Sequence, residues 1–181
     1  MRAHAGRLRS RGRRPRLAPA VLLLLGALSG CNYSLRAGAG LPDYIRTIAV
    51  LPFENETTRA ELTEEIHQQL LRELPRALGV RSAGEDVADA IVQGTIVGYN
   101  VNAPLFRPGA GGNTAEVLQR QVSIAARVEI IDVEGNAILW EDQSLRAEGQ
   151  FLEASETEDI GRSEAVELLV QRIVDGAQSN W

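Results

Sequence analysis

The sequence predicts one α+β domain, a mixed and mainly antiparallel sheet of four to five strands with two helices packed on one face. Three observations carry that expectation. Val122, Ile124, Ala126, Val128 and Ile130 alternate with Gln121, Ser123, Ala125, Arg127 and Glu129, the period of a strand with one buried and one wet face. Two other segments, after Thr58 and after Ser155, carry their apolar residues at helical spacing. In order the segments read β-α-(β)-β-β-β-α, with no internal repeat.

The chain begins with Arg2, Arg7, Arg9, Arg11, Arg13, Arg14 and Arg16 and no acid, followed by an apolar run from Leu17 to Leu28. Charged start, greasy middle and small-residue exit are the three parts of a signal peptide. A run of about 12 apolar residues is short of the roughly 20 that a bilayer core requires. Leu28-Ser29-Gly30-Cys31 then resembles the lipobox of bacterial lipoproteins. That resemblance implies diacylglyceryl transfer to the Cys31 thiol, cleavage between Gly30 and Cys31, and acylation of the freed amine. Residues 1–30 are thus expected to be removed, 31–43 to form a lipidated tether, and 44–178 to fold. In enterobacteria an aspartate after the lipidated cysteine favours inner-membrane retention; Asn32 stands there, which implies the outer membrane.

Asn32 to Asp43 is rich in Gly and Ala and reads as a spacer. Ile45 to Phe53 is the first strand, apolar on both sides and ended by Pro52, which cannot donate to a ladder. Thr58 with Glu61 matches a capping box, and Leu62, Ile66, Leu70, Leu71 and Leu74 form the stripe of the helix that Pro75 ends or bends. Val80 to Ser82 fits a short strand parallel to the first through a right-handed crossover. Gly84 to Asp89 reads as a turn, and Ala90 to Val101 as a strand with Gly94 and Gly98 as bulges or close-approach points.

Asn102 to Ala115 holds Pro104, Pro108, Gly109, Gly111 and Gly112 and is expected to be irregular. The alternating strand follows, from Val117 to Asp132. Gly135 turns the chain into a hairpin with Ala137 to Gly149. Ser155 with Glu158 matches a second capping box. The closing helix should turn Ile160, Val166, Leu169, Val170 and Ile173 inward and stop just before Gly176.

Seven of the 19 basic residues precede Cys31 and none of the 24 acids does, so the remainder carries a formal charge of −12. Such a balance argues against a nucleic-acid partner. Cys31 is the only cysteine, which excludes an internal disulfide and a thiolate metal site. His67, the one histidine after the leader, reads as a solvated helix residue. No nucleophile elbow, zinc-binding H-E-x-x-H, phosphate loop or dinucleotide fingerprint is present. Paired acids such as Glu64 with Glu65 read as solvated faces, and Glu156 with Glu158 and Asp159 as helix-start charges. The domain is expected to be no enzyme and to need no metal or cofactor beyond the diacylglycerol and N-acyl chain on Cys31.

Cys31-Asn32-Tyr33-Ser34-Leu35-Arg36, and Leu41-Pro42-Asp43-Tyr44-Ile45-Arg46-Thr47-Ile48-Ala49-Val50-Leu51-Pro52-Phe53-Glu54-Asn55-Glu56-Thr57, resemble the opening of the LptE family of lipopolysaccharide-assembly lipoproteins. The likeness continues through Ala88 to Ile96, the alternating strand, Gly135 to Trp140 and the last helix. It implies an outer-membrane lipoprotein on the periplasmic side, seated partly inside an LptD-type β-barrel as plug and folding partner and contacting lipopolysaccharide. Phosphorylated lipid favours exposed cations, and Arg107, Arg120 and Arg127 are the candidate ligand-binding residues; the side of the strand that Arg120 takes is left open. "Ile-Ala-Val-Leu-Pro-Phe-Glu-Asn" also resembles the N-terminal modules of TolB-like and CsgG-like periplasmic proteins. That alternative implies a secretion or envelope complex.

Overall fold

The computed structural model describes residues 41–108 and 115–179. The leader, Gly30, Cys31, most of the tether and the glycines Gly109, Gly111 and Gly112 lie outside the described residues. The elements are β1 (Thr47–Val50), β2 (Glu54–Asn55), α1 (Glu61–Leu78), β3 (Arg81–Ser82), a 3-10 turn (Glu85–Val87), β4 (Ala90–Pro108), β5 (Ala115–Asp132), β6 (Ala137–Leu152) and α2 (Glu158–Ser179). They form one six-stranded mixed sheet in the order β3-β1-β4-β5-β6, with β2 also paired to β4. The three long strands are antiparallel and the short ones join in parallel, with both helices on one face. This is the predicted class, with one short strand more.

That strand exists because of Pro52. The pairing Val50↔Val92 resumes as Glu54↔Thr95, so the chain spends one extra residue passing the proline and then rejoins β4. The first strand is accordingly shorter than Ile45 to Phe53. Gly98 falls at a register shift in β4, as expected. At Gly94 an added Cβ would lie 2.6 Å from the Arg127 carbonyl oxygen and 2.8 Å from the Phe53 ring, so the glycine lets Phe53 pack flat on the strand.

The core lies between sheet and helices. Leu62, Ile66, Leu70 and Leu74 of α1 and Leu169, Val170 and Ile173 of α2 are buried against Ile48, Val92, Ile96, Val122, Ile124, Val128 and Ile130. Every second residue of β5 from Val122 to Ile130 is buried, and the odd-numbered residues from Gln121 to Glu129 face the open side. Two expected core residues are corrected: Leu71 is 40% exposed and Ile160 is 53% exposed, each lying just off the stripe it was assigned to.

Helix ends also depart from expectation. Thr58 is not a cap: α1 starts after Ala60 with no side-chain cap, and Asn55 and Thr57 order the entry instead. The Asn55 Oδ1 accepts from the Thr57 amide (2.9 Å) and hydroxyl (2.7 Å), and the Thr57 hydroxyl accepts from the Arg59 amide (3.1 Å). Pro75 sits buried inside α1 rather than ending it, and the helix closes at Gly79, whose φ of 70° is the left-handed cap conformation. Ser155 likewise lies ahead of α2, which begins at Glu158. Gly176 is not past the end of α2 but within it, because the Trp140 indole packs where a side chain would be, its Cε2 2.7 Å from an added Cβ.

Two carboxylates tie the entry of the chain to the far end of β4 and β5. The Asp89 Oδ2 accepts from the Arg46 amide (2.8 Å), the Thr47 amide (2.9 Å) and the Thr47 hydroxyl (2.8 Å). The Asp132 carboxylate accepts from the Gly135 amide (3.0 Å) and the Tyr44 hydroxyl (2.7 Å). These backbone and hydroxyl donors hold both carboxyls below the usual aspartate range. Below about pH 4 the unfolded chain therefore binds protons that the folded chain refuses. Stability is expected to be complete above that range and to fall as pH drops through the depressed values. A urea midpoint followed from pH 6 to pH 2.5 checks this, and Asp89→Asn should flatten the curve.

Candidate functional site

β4 and β5 outrun the rest of the sheet. On one side β2 stops opposite Ile96; on the other β6 stops at Leu152, opposite Gln119. Beyond that level the two strands continue alone as a ribbon, with Phe106 opposite Val117, Arg107 opposite Glu116 and Pro108 opposite Ala115. The described part of the segment expected to be irregular, 102–108 and 115, is thus strand. Its prolines are accommodated because the outer edge of β4 has no neighbouring strand there among the described residues and needs no donor. Register shifts around Leu105 absorb the misfit.

From Ala90 to Gln119 the sequence contains only two charged residues, Arg107 and Glu116, in a chain that is otherwise acidic. Phe106 is 63% exposed and Leu105 49% exposed. The ribbon therefore presents apolar side chains and one neutralised ion pair. Neither residue was singled out from sequence, because an irregular loop gives no periodicity from which to assign a face.

The three candidate arginines fall in three places. Arg120 has the parity of buried Val122 and so lies on the helix side of β5; Glu116 lies beyond the register shift between Gln119 and Val117, where that alternation no longer carries over. Arg107 pairs across the ribbon with Glu116, its Nε and Nη2 donating to Oε2 and Oε1 at 2.8 and 3.0 Å. Arg120 pairs with Glu153, with one Nη2 to Oε1 distance of 3.2 Å. This resolves the open question of its side. Arg127 lies roughly 24 Å further along β5 on the opposite face, its Nη2 2.9 Å from Glu56 Oε1. Of the three, the ribbon thus carries Arg107, with Arg120 at its base beside β6 and Arg127 far from both.

Arg107 and Arg120 each have their charge reinforced by an acid. The hydrogen bonds and then the charge of Glu116 raise the Arg107 guanidinium, and the same contacts hold Glu116 below the ordinary glutamate range. Glu153 does the same for Arg120. All of these pairs are solvent-exposed, and such pairs are weak and screened, so an anionic ligand can compete for the arginine.

A separate network anchors the base of the ribbon. The Tyr99 hydroxyl donates to Glu158 Oε1 at 2.7 Å, Arg59 reaches the same oxygen at 2.5 Å, and its guanidinium lies 5.1 Å from the Tyr99 ring centroid. Burial, then the bond to Glu158, raises the Tyr99 phenol above its usual range. Burial pulls the Arg162 guanidinium down, but bonds and charge from Glu65, with Asp159 and Glu61, outweigh it and leave it raised. These contacts join the first turns of both helices to β4, and only tertiary structure assembles them. His67 is corrected from a solvated residue: its Nδ1 is buried without a hydrogen-bond partner among the described residues. No group of three or more His, Cys, Asp or Glu among the described residues could hold a metal ion.

Among solved structures, the chain is similar to the PelC dodecamer from Paraburkholderia phytofirmans at 16% identity, covering 77% of this chain and 92% of that one, with a TM-score of 0.48. It is similar to lipoprotein GNA1162 from Neisseria meningitidis at 14% identity, covering 72% and 96%, with a TM-score of 0.44. For lipoprotein B from Nitrosomonas europaea the values are 18% identity, 78% and 87% coverage, and a TM-score of 0.47. Scores of this size bear no functional argument. No curated protein matches the chain at a significant level. The profile of the family described as "LptE: Lipopolysaccharide-assembly" matches residues 45–176, from just before β1 to the last turns of α2. A match over all the elements just described, in their order, places this chain in the LptE family of lipopolysaccharide assembly.

Proposed function

We propose that this protein is an outer-membrane lipoprotein, held by acyl chains on Cys31, that plugs and helps to fold an LptD-type β-barrel and contacts lipopolysaccharide on its way to the outer leaflet. The observation that carries the reading is the family match over residues 45–176. The ribbon of β4 and β5 supports it, since its one arginine, Arg107, is paired with Glu116 and a segment entering a confined barrel interior keeps few unpaired charges to desolvate. In this reading the domain works by association and catalyses nothing.

Arg107 and Arg120 are the proposed contacts for lipid phosphate, each exchanging its glutamate for the ligand; Arg127, on the open face of β5, is a third candidate. Arg107→Ala should weaken copurification with lipopolysaccharide by roughly two- to fivefold, the size expected of one exposed charge contact. Glu116→Gln frees the same guanidinium and should strengthen it. Unchanged binding in both variants would remove Arg107 from the contact set.

The central test is a pull-down of the tagged, lipidated protein from detergent-solubilised envelope, in which a barrel of the LptD type is the expected partner. Recovery of a homo-oligomeric ring or of peptidoglycan-binding proteins would favour the secretion or envelope-complex reading instead.

A further inference from the structure

β6 is a 16-residue strand at the edge of the sheet, with β5 on one side and, among the described residues, no strand on the other. A long free edge offers unpaired amides and carbonyls to any other extended chain. The amide of Glu153 donates to the Leu118 carbonyl at 3.3 Å, so at this end odd-numbered residues turn their backbone groups toward β5 and even-numbered ones turn outward. The outward groups are met by side chains. The Gln150 amide donates to Glu164 Oε2 at 2.7 Å and the Leu152 amide to Glu156 Oε2 at 2.6 Å. The Arg146 carbonyl accepts from Arg172. Two of these residues, Glu164 and Arg172, reach the strand edge from α2, and Glu156 reaches it from the turn before that helix. The sheet's other long free edge, β4 beyond Ile96, is blunted differently, by Pro104.

We propose that Glu156, Glu164 and Arg172 form a side-chain guard that closes the outer edge of β6, and that a second copy of this chain pairs with that edge when the guard is removed. The second copy is favoured by charge. Antiparallel pairing of two β6 strands about Ala147 sets Arg146 of each opposite Glu148 of the other, twice over, as a twofold interface requires. A guard of side chains also differs from strand pairing in being local, so each amide can be released singly.

Amide hydrogen exchange on the folded protein tests the contacts. Glu164→Ala should accelerate exchange at Gln150, and Glu156→Ala at Leu152, by about tenfold or more, the size of a lost charge-assisted hydrogen bond. The inward amide of Ala147 should stay unchanged in both. Sedimentation equilibrium tests the consequence: Glu156→Ala, Glu164→Ala and Arg172→Ala combined should convert a monomer to a dimer, and adding Glu148→Arg should reverse it. A folded triple variant that remains monomeric at all concentrations, or exchange at Gln150 and Leu152 that does not respond, overturns the proposal. Should the triple variant unfold, the two single variants decide.

Discussion

Cys31→Ser is expected to abolish incorporation of labelled palmitate completely and to leave residues 1–30 attached. The lipid donor is transferred to a thiol, and a serine hydroxyl in the same place is a far poorer nucleophile. Each acyl chain of about 15 methylenes contributes roughly 12 kcal/mol of membrane affinity, so two or three of them make attachment effectively permanent. The clean comparison replaces the leader with an ordinary secretory one and carries Cys31→Ser, which should deliver the domain to the soluble periplasmic fraction. Mass spectrometry of the wild-type protein should find a polypeptide that starts at Cys31 and carries diacylglyceryl and N-acyl groups. An unmodified chain with its leader in place would remove the anchor and the localisation that rests on it.

Gly149→Val should prevent accumulation of folded protein, with a cost on the order of 3–5 kcal/mol. Gly149 lies on the buried face of β6, where α2 crosses it. An added Cβ would strike the carbonyl oxygen of Gly161 and stand 2.6 Å from the amide nitrogen of Ala165 and 2.9 Å from the Glu164 Cβ. Two of these three atoms are helix backbone, which cannot rotate away as a side chain can. Relief would require lifting α2 from the sheet, and with it Ala165, Val166 and Leu169 out of the core. Gly161, on the helix side of the same crossing, is constrained by Phe151, whose Cδ1 lies 2.9 Å from an added Cβ. Gly84→Ala is the comparison: nothing lies within 4 Å of its added Cβ, and its φ of −72° suits alanine. Thermal and urea unfolding of that variant should match wild type or exceed it slightly. Equal tolerance at both positions would contradict the close crossing of helix and sheet.

The two groups of glycines show which parts of the fold a linear reading could reach. Gly94 and Gly98 stand inside a run of strand-forming residues, so a local oddity was visible there and a bulge or close approach could be assigned. Gly149, Gly161 and Gly176 were not legible in the same way. Gly176 sits near the end of a helical stretch and carries the signature of a stop, yet the residue that requires it, Trp140, is 36 positions away in sequence on β6. Similarly, Thr58-x-x-Glu61 matched a capping box in spacing alone, and the residues that order the entry of α1 are Asn55 and Thr57, placed by the pairing of β2 with β4.

For the candidate site the division is similar. Residue type and the need for cations singled out Arg107, Arg120 and Arg127, and the alternation of β5 placed Arg127 on the open face. The ribbon that carries Arg107 was read as irregular because prolines and glycines break local periodicity. An edge position, which sequence does not display, is what permits prolines in a strand. The acids that hold each arginine come from other segments: Glu56 from the turn before α1, Glu153 from the turn after β6, and Glu116 from across the ribbon.

What the amino-acid sequence determined by itself was whatever depends on neighbours in the chain: the period of each strand and helix, the hairpin at Gly135, and from these the α+β class. Tertiary structure alone decided the length of the β4 and β5 ribbon, the interior place of Gly176, the pairing of every candidate arginine and the closing of the β6 edge. The reason is physical. Periodicity records which face of an element meets the core, but a close approach, an ion pair or an edge is a relation between elements distant in sequence, and it exists only once the chain has folded.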